Sequence, residues 1–168
     1  MSPFPPDILA RAKALVALCA ERKLLVATAE SCTGGLIAAA LTEVTGSSAV
    51  VDRGFVTYSN AAKMELIGVE AATLDAFGAV SRQTAVEMVS GALCRSSADI
   101  AVSVTGIAGP GGGSAQKPVG LVHLAARRRG GAVIHREMRY GDIGRAEVRL
   151  ATLGTALDLL SEAALQEV

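Results

Sequence analysis

Ser31 stands in the segment Glu30-Ser31-Cys32-Thr33-Gly34-Gly35, directly after an apolar run and directly before a helix-like stretch. A serine hydroxyl is a weak nucleophile and needs a base. The two glycines that follow let a ligand approach backbone N–H groups at a helix start, a ready oxyanion or anion site. The plain alternative is that Ser31 only caps the helix. The chain has two histidines, His123 and His135, both inside strand-like segments. Lysine is scarce, with four residues: Lys13, Lys23, Lys63 and Lys117. Lys63 is flanked by Ala61, Ala62 and Met64, and partial desolvation there lowers a lysine pKa towards that of a working base. Ser–Lys pairs are an accepted variant of the serine–histidine arrangement; a solvated helix charge is the competing reading. Tyr58 can relay a proton or hold Lys63, or merely end a strand with its hydroxyl in water. Cys32 is the rival nucleophile, but it has no nearby histidine and reads as a small packing residue.

A second unusual segment is Gly106-Ile107-Ala108-Gly109-Pro110-Gly111-Gly112-Gly113-Ser114, a loop by composition. It matches neither G-x-x-x-x-G-K-[ST] nor G-x-G-x-x-G in a strand–loop–helix context, which removes support for nucleoside triphosphates and dinucleotides. No His/Cys/carboxylate set has metal-ligand spacing. Sixteen basic and sixteen acidic residues give a net charge of 0, without the basic excess of a nucleic-acid binder. Arg127-Arg128-Arg129 reads as the solvated tip of a hairpin. Three cysteines without ligand-like spacing, Cys19, Cys32 and Cys94, and an N-terminus unlike a signal peptide point to a reduced, cytoplasmic setting. No apolar run reaches the roughly 20 residues of a membrane span.

The elements that must position these residues follow from periodicity. Asp7 is expected to cap a helix running to about Arg22, with Ile8, Ala12, Leu15 and Leu18 on one face. Strands are expected over 24–29, 50–58, 99–105, 119–126 and 132–140. Helices are expected over 36–44, from Ser59-Asn60 to about Gly68, over 81–95 and over 142–160. The order is α-β-α-β-α-α-β-β-β-α in a single domain, 1–168. Crossover helices make the first three strands parallel. The fourth strand is then antiparallel and the fifth parallel to the first three, in a mixed five-stranded sheet with helices on both faces. The glycine-rich segments, Ser31, Tyr58, Lys63, Lys117 and the Gly141 to Arg145 turn converge at one edge, where open α/β sheets bind ligands.

Ala29-Glu30-Ser31-Cys32-Thr33-Gly34-Gly35-Leu36, Tyr58-Ser59-Asn60 with Lys63, and Val104-Thr105-Gly106-Ile107-Ala108-Gly109-Pro110-Gly111-Gly112 followed by Lys117-Pro118-Val119-Gly120 closely resemble the CinA C-terminal-domain family, whose members are nicotinamide-nucleotide amidohydrolases. The resemblance runs from the first helix to the last. It implies a CinA-like three-layer α/β/α sandwich in the stand-alone form and a hydrolase of nicotinamide mononucleotide in pyridine nucleotide recycling. In that reading Ser31 is the nucleophile, Lys63 the base and Tyr58 their partner. Backbone N–H groups near Thr33 and Gly34 hold the oxyanion. Substrate contacts are expected from Glu30, Thr33, Gly34, Gly35, Thr105, Gly106, Gly109, Gly111, Gly112 and Arg145, with Lys117 and Arg149 left open. No metal or cofactor is implied, nor a nucleic-acid or membrane partner. A homo-oligomer, preferably a dimer, is expected. The alternative is a non-catalytic nucleotide-binding module whose glycine loops cradle phosphate.

Overall fold

The computed structural model describes residues 1–168. Pro5 precedes the first helix, α1 (Pro6–Arg22), and Pro6 occupies its first turn, where a missing N–H costs nothing. Asp7 therefore lies inside the first turn, favourably placed in the dipole, rather than capping it. The chain continues through β1 (Val26–Glu30), α2 (Leu36–Thr42), a 3₁₀ turn at Ser47–Ala49, β2 (Val51–Val56), α3 (Asn60–Ile67), α4 (Ala71–Phe77), α5 (Arg82–Cys94), β3 (Ile100–Gly106), β4 (Leu121–Arg128), β5 (Val133–Arg139) and α6 (Arg145–Leu165). The expected order thus holds apart from one extra helix. The seven-residue α4 has no side-chain cap and a single buried residue, Leu74, so it leaves almost no periodic signal. The last helix begins at Arg145 rather than 142, because Gly141 and Gly144 both take positive φ.

The sheet order is β2-β1-β3-β4-β5. β1 is parallel to β2 and β3, β4 is antiparallel to β3, and β5 is antiparallel to β4, as the crossover argument requires. α1, α2 and α6 cover one face through Val26, Ile100, Val102, Val104, Val122 and Leu124. α3, α4 and α5 cover the other, where the strands present Ala27, Ala29, Ala101 and Ala125. Small strand residues let α5 lie close to the sheet, consistent with a core almost free of aromatics. α3 also lies close to α5: a Cβ at Gly91 would sit 1.8 Å from the carbonyl oxygen of Ile67.

Arg129 is exposed in the hairpin turn, as expected, whereas Arg127 and Arg128 are half-buried at the end of β4, and all three guanidinium groups are engaged. Arg129 donates to the carbonyls of Leu93, Ser96 and Ala98, Arg127 to that of Gly131, and Arg128 to that of Gln166. The ends of helices leave carbonyls unpaired: Arg129 meets that of Leu93 in the last turn of α5 and Arg128 that of Gln166 at the end of α6.

Candidate active site

The chain leaves β1 for β2 on one side and later reaches β3 on the other, so β1 borders the topological switch point of the sheet. Ser31 follows the last residue of β1. Its backbone N–H donates to Val104 on β3 at 3.0 Å. Lys63 lies in the first turn of α3, whose start is fixed by Ser59: the Ser59 hydroxyl accepts from the Ala62 N–H. That turn aims the lysine back under the sheet edge, where it is 1% exposed. Nζ is 3.0 Å from Ser31 Oγ, 2.8 Å from the Thr57 carbonyl oxygen and 3.4 Å from that of Tyr58.

Nζ donates to all three oxygens, which matches the three N–H groups of an ammonium. When the amine is neutral, two N–H groups remain for the two carbonyls and the lone pair faces the Ser31 hydroxyl. No carboxylate forms an ion pair with Lys63. Burial brings its pKa down to about 8. The same burial pushes the neighbouring Cys32 thiol up to about 11, so at neutral pH Cys32 stays a thiol and a poor nucleophile.

Ser31, Tyr58, Lys63, Thr105, Gly106 and Arg145 line one cavity of about 200 Å³, completed by Cys32, Ala79, Val80 and Ala108. Ala79 and Val80, from the segment between α4 and α5, carry no motif and were not expected; Thr105 Oγ1 donates to the Ala79 carbonyl and holds that wall. A larger groove of about 420 Å³ near Ile67 and Gly91 is lined by a serine, Ser90, but by no lysine.

Several expected contacts are placed differently. Glu30 is 1% exposed and turns away from the cavity. Its carboxylate accepts from the N–H groups of Ile37 and Ala38 at 2.9 and 3.0 Å and from the Thr28 hydroxyl. The start of α2 is thus already occupied by a protein anion, and Gly35 rather than Ser31 holds its N-cap position. Gly34 N–H donates to the Ser31 carbonyl, so it is spent within the turn. The N–H groups of Cys32 and Thr33 find no acceptor on another residue. The Tyr58 hydroxyl bonds neither Ser31 nor Lys63. The ring is 61% exposed at the cavity mouth, where its oxygen accepts from Arg145 Nη2 at 3.0 Å. Tyr58 reaches Lys63 only through its carbonyl. Arg145 also donates to the Gly109 carbonyl at 3.0 Å. Gly111 and Gly112 are exposed and outside the cavity lining. Lys117 donates to the Phe77 carbonyl. Arg149 holds the carbonyls of Cys32 and Thr33. His123 and His135 meet each other at 3.0 Å away from the cavity. No three His, Cys, Asp or Glu side chains converge to hold a metal, and no helix is long and apolar enough to cross a membrane.

The fold recurs in known proteins. The chain is similar to the nicotinamide-nucleotide amidohydrolase PncC of Enterobacter agglomerans, 53% identical over 135 residues, 79% of this chain and 82% of the relative. It is 51% identical over 146 residues to the protein of the same name in Escherichia coli, covering 86% and 87% of the two chains. A CinA-like protein of Chlorobaculum tepidum is 52% identical over 142 residues, which span 82% of this chain but 34% of that longer relative. Among solved structures, the competence/damage inducible protein CihA of Agrobacterium tumefaciens is 64% identical with a TM-score of 0.96, covering 97% of this chain and 99% of the other. The family model described as the CinA C-terminal domain matches residues 9–164, and the chain belongs to that family.

Proposed function

We propose that the protein hydrolyses the carboxamide of nicotinamide mononucleotide to nicotinate mononucleotide and ammonia by a Ser31–Lys63 mechanism, in cytoplasmic recycling of pyridine nucleotides. The observation that carries this reading is the 3.0 Å approach of a buried lysine without a carboxylate partner to a serine at the switch point. The names of the PncC relatives support the substrate class.

Neutral Lys63 takes the Ser31 hydroxyl proton as Oγ bonds to the amide carbon. The N–H groups of Cys32 and Thr33 receive the oxyanion. The C–N bond breaks as Lys63 returns the proton to the leaving nitrogen, and ammonia departs. Water then attacks the ester, giving its proton to Lys63, and Ser31 leaves with that proton. The direct Ser31–Lys63 contact needs no relay, so Tyr58 is assigned to the mouth.

The cavity is smaller than the roughly 300–1,000 Å³ of drug-sized sites. It suits the pyridine carboxamide, flanked by Ala79, Val80 and Ala108, and leaves the ribose and phosphate at the mouth. Arg145 stands there. The N–H groups of Ala108, Gly109, Gly111, Gly112 and Gly113 make no bond within the protein and can turn towards phosphate oxygens. The test is ammonia release from nicotinamide mononucleotide by purified wild type and Ser31→Ala, with and without exhaustive chelation of divalent ions. We expect metal-independent release by wild type only. A folded wild type that releases none, or an equally active Ser31→Ala, refutes the reading.

A further inference from the structure

Arg149 lies on α6, outside the cavity lining, and touches the nucleophile turn from behind. Its Nε donates to the Cys32 carbonyl at 3.1 Å and its Nη2 to the Thr33 carbonyl at 3.0 Å. The peptides of this turn are trans, and in a planar trans peptide the C=O and N–H point in opposite directions. A Cys32 carbonyl held towards α6 therefore sends the Thr33 N–H the other way. A Thr33 carbonyl held likewise fixes the Gly34 N–H, which donates to the Ser31 carbonyl at 3.0 Å. That last bond orients the Cys32 N–H. One guanidinium thus sets three consecutive peptides. The two N–H groups left over belong to buried residues, Cys32 at 6% and Thr33 at 0% exposure. Neither donates to another residue, the Cys32 N–H having only its own thiol within reach; buried backbone donors so placed are rare in folded proteins, and these two stand immediately after Ser31.

We propose that Arg149 is a positioning residue for amide hydrolysis: by holding the Cys32 and Thr33 carbonyls it aims the Cys32 and Thr33 N–H groups at the oxyanion formed when Ser31 attacks. This rests on Ser31 acyl chemistry as proposed above. The planar fork matters, because a single lysine ammonium on a flexible stem does not hold two adjacent carbonyls in one geometry.

The experiment compares wild type, Arg149→Ala and Arg149→Lys, each checked for folding by circular dichroism and thermal melting. Two reactions are followed: ammonia release from nicotinamide mononucleotide, and acylation of Ser31 by p-nitrophenyl acetate, read by mass spectrometry. For Arg149→Ala we expect kcat lower on the order of 100-fold, the size of losing an oxyanion donor. KM should stay within about threefold and the pH midpoint, which belongs to Lys63, should not move. Ser31 acylation should slow in proportion. Added guanidinium chloride at non-denaturing concentration should restore about tenfold to the alanine variant and nothing to wild type, which a purely structural role does not produce. Arg149→Lys should lie between, and serves where the alanine variant fails to fold. A KM rise at constant kcat makes Arg149 a substrate contact and overturns the proposal, as does acylation of the variants at the wild-type rate. Wild type that acylates on Ser31 but releases no ammonia from the mononucleotide refutes the substrate assignment and leaves Arg149 tested by the ester alone. Absence of any acylation of wild-type Ser31 removes this proposal with the nucleophile.

Discussion

Two glycine-bearing segments meet at the same sheet edge and are built in opposite ways. The Ser31 to Gly35 turn is held on every side: Ser31 by β3, its carbonyls by Gly34 and Arg149, and the helix behind it by the Glu30 carboxylate. The Gly106 to Ser114 segment is held as far as Gly109, through Ile107 N–H to Leu121 and the Gly109 carbonyl to Arg145, and again at Ser114 N–H to Lys117, but the chain is exposed from Pro110 to Gln116. Chemistry that depends on tenths of an ångström belongs on the first kind of backbone. Recognition of a solvated group tolerates the second. The contrast says that substitutions near Ser31 act on rate and fold, whereas those in the glycine loop act on recognition or on nothing.

The sharpest break is at the proposed nucleophile and base. Ser31→Ala should fold and lose more than about a thousandfold in ammonia release; Lys63→Arg should lose as much, since a guanidinium stays protonated, and should also be less stable because that charge is buried. In wild type, kcat/KM should rise with pH through a midpoint near 8, because only neutral Lys63 accepts a proton. A profile flat from pH 6 to 9 removes Lys63 from this role.

Lys63 also makes a stability prediction. Its folded pKa of about 8 lies below the ordinary lysine value of 10.5, so between these values the unfolded chain holds a proton that the folded chain does not. Stability conferred by the neutral buried amine therefore grows with pH across that window. Relative to Lys63→Met, wild type should gain about 2–3 kcal/mol between pH 7 and pH 10 at about 1.36 kcal/mol per pKa unit, measured by urea unfolding. A gap independent of pH contradicts a charged penalty at Lys63.

Next is the anion inside the nucleophile turn. Glu30→Gln keeps the shape but replaces one acceptor oxygen with an amide donor facing a helix N–H. We expect a loss of about 2–3 kcal/mol, from one unsatisfied buried donor and the lost charge at a helix start. An unchanged melting temperature means that α2 does not depend on the carboxylate.

The glycine edge gives smaller effects. Arg145→Ala should lower kcat/KM for the mononucleotide by about 10- to 150-fold, the size of one charge-assisted contact at about 1.5–3 kcal/mol, with little change for the riboside, which lacks the phosphate. An equal loss on both substrates places Arg145 at the mouth without phosphate recognition. The least effect is expected from Gly111→Ala, where a Cβ meets nothing within 4 Å and φ is not positive. Stability should stay within about 0.5 kcal/mol and activity within twofold. A larger loss means that the loop closes tightly on the substrate.

Hydrophobic period and turn chemistry made the five strands, their directions and the site edge legible, because these are local properties summed along the chain. Ser31 and Lys63 stood out by type and scarcity, and the fold brings them to 3.0 Å from each other. The short α4 was not, with one buried leucine and no cap to mark it. Ala79 and Val80 were not either, since pocket walls made of small apolar residues look like any other core.

What the sequence determined by itself is a sheet edge carrying a serine, a lysine and glycine-rich turns. What only the tertiary structure decided is which partner each polar group meets. Glu30 faces helix N–H groups seven and eight residues on, not substrate. The Tyr58 hydroxyl meets Arg145, 87 residues away, not Lys63. Arg149 reaches carbonyls 117 and 116 residues distant. The reason is physical: a hydrogen bond is decided within about 3 Å, and spacing along the chain carries no information at that scale once a residue's partner lies on another element.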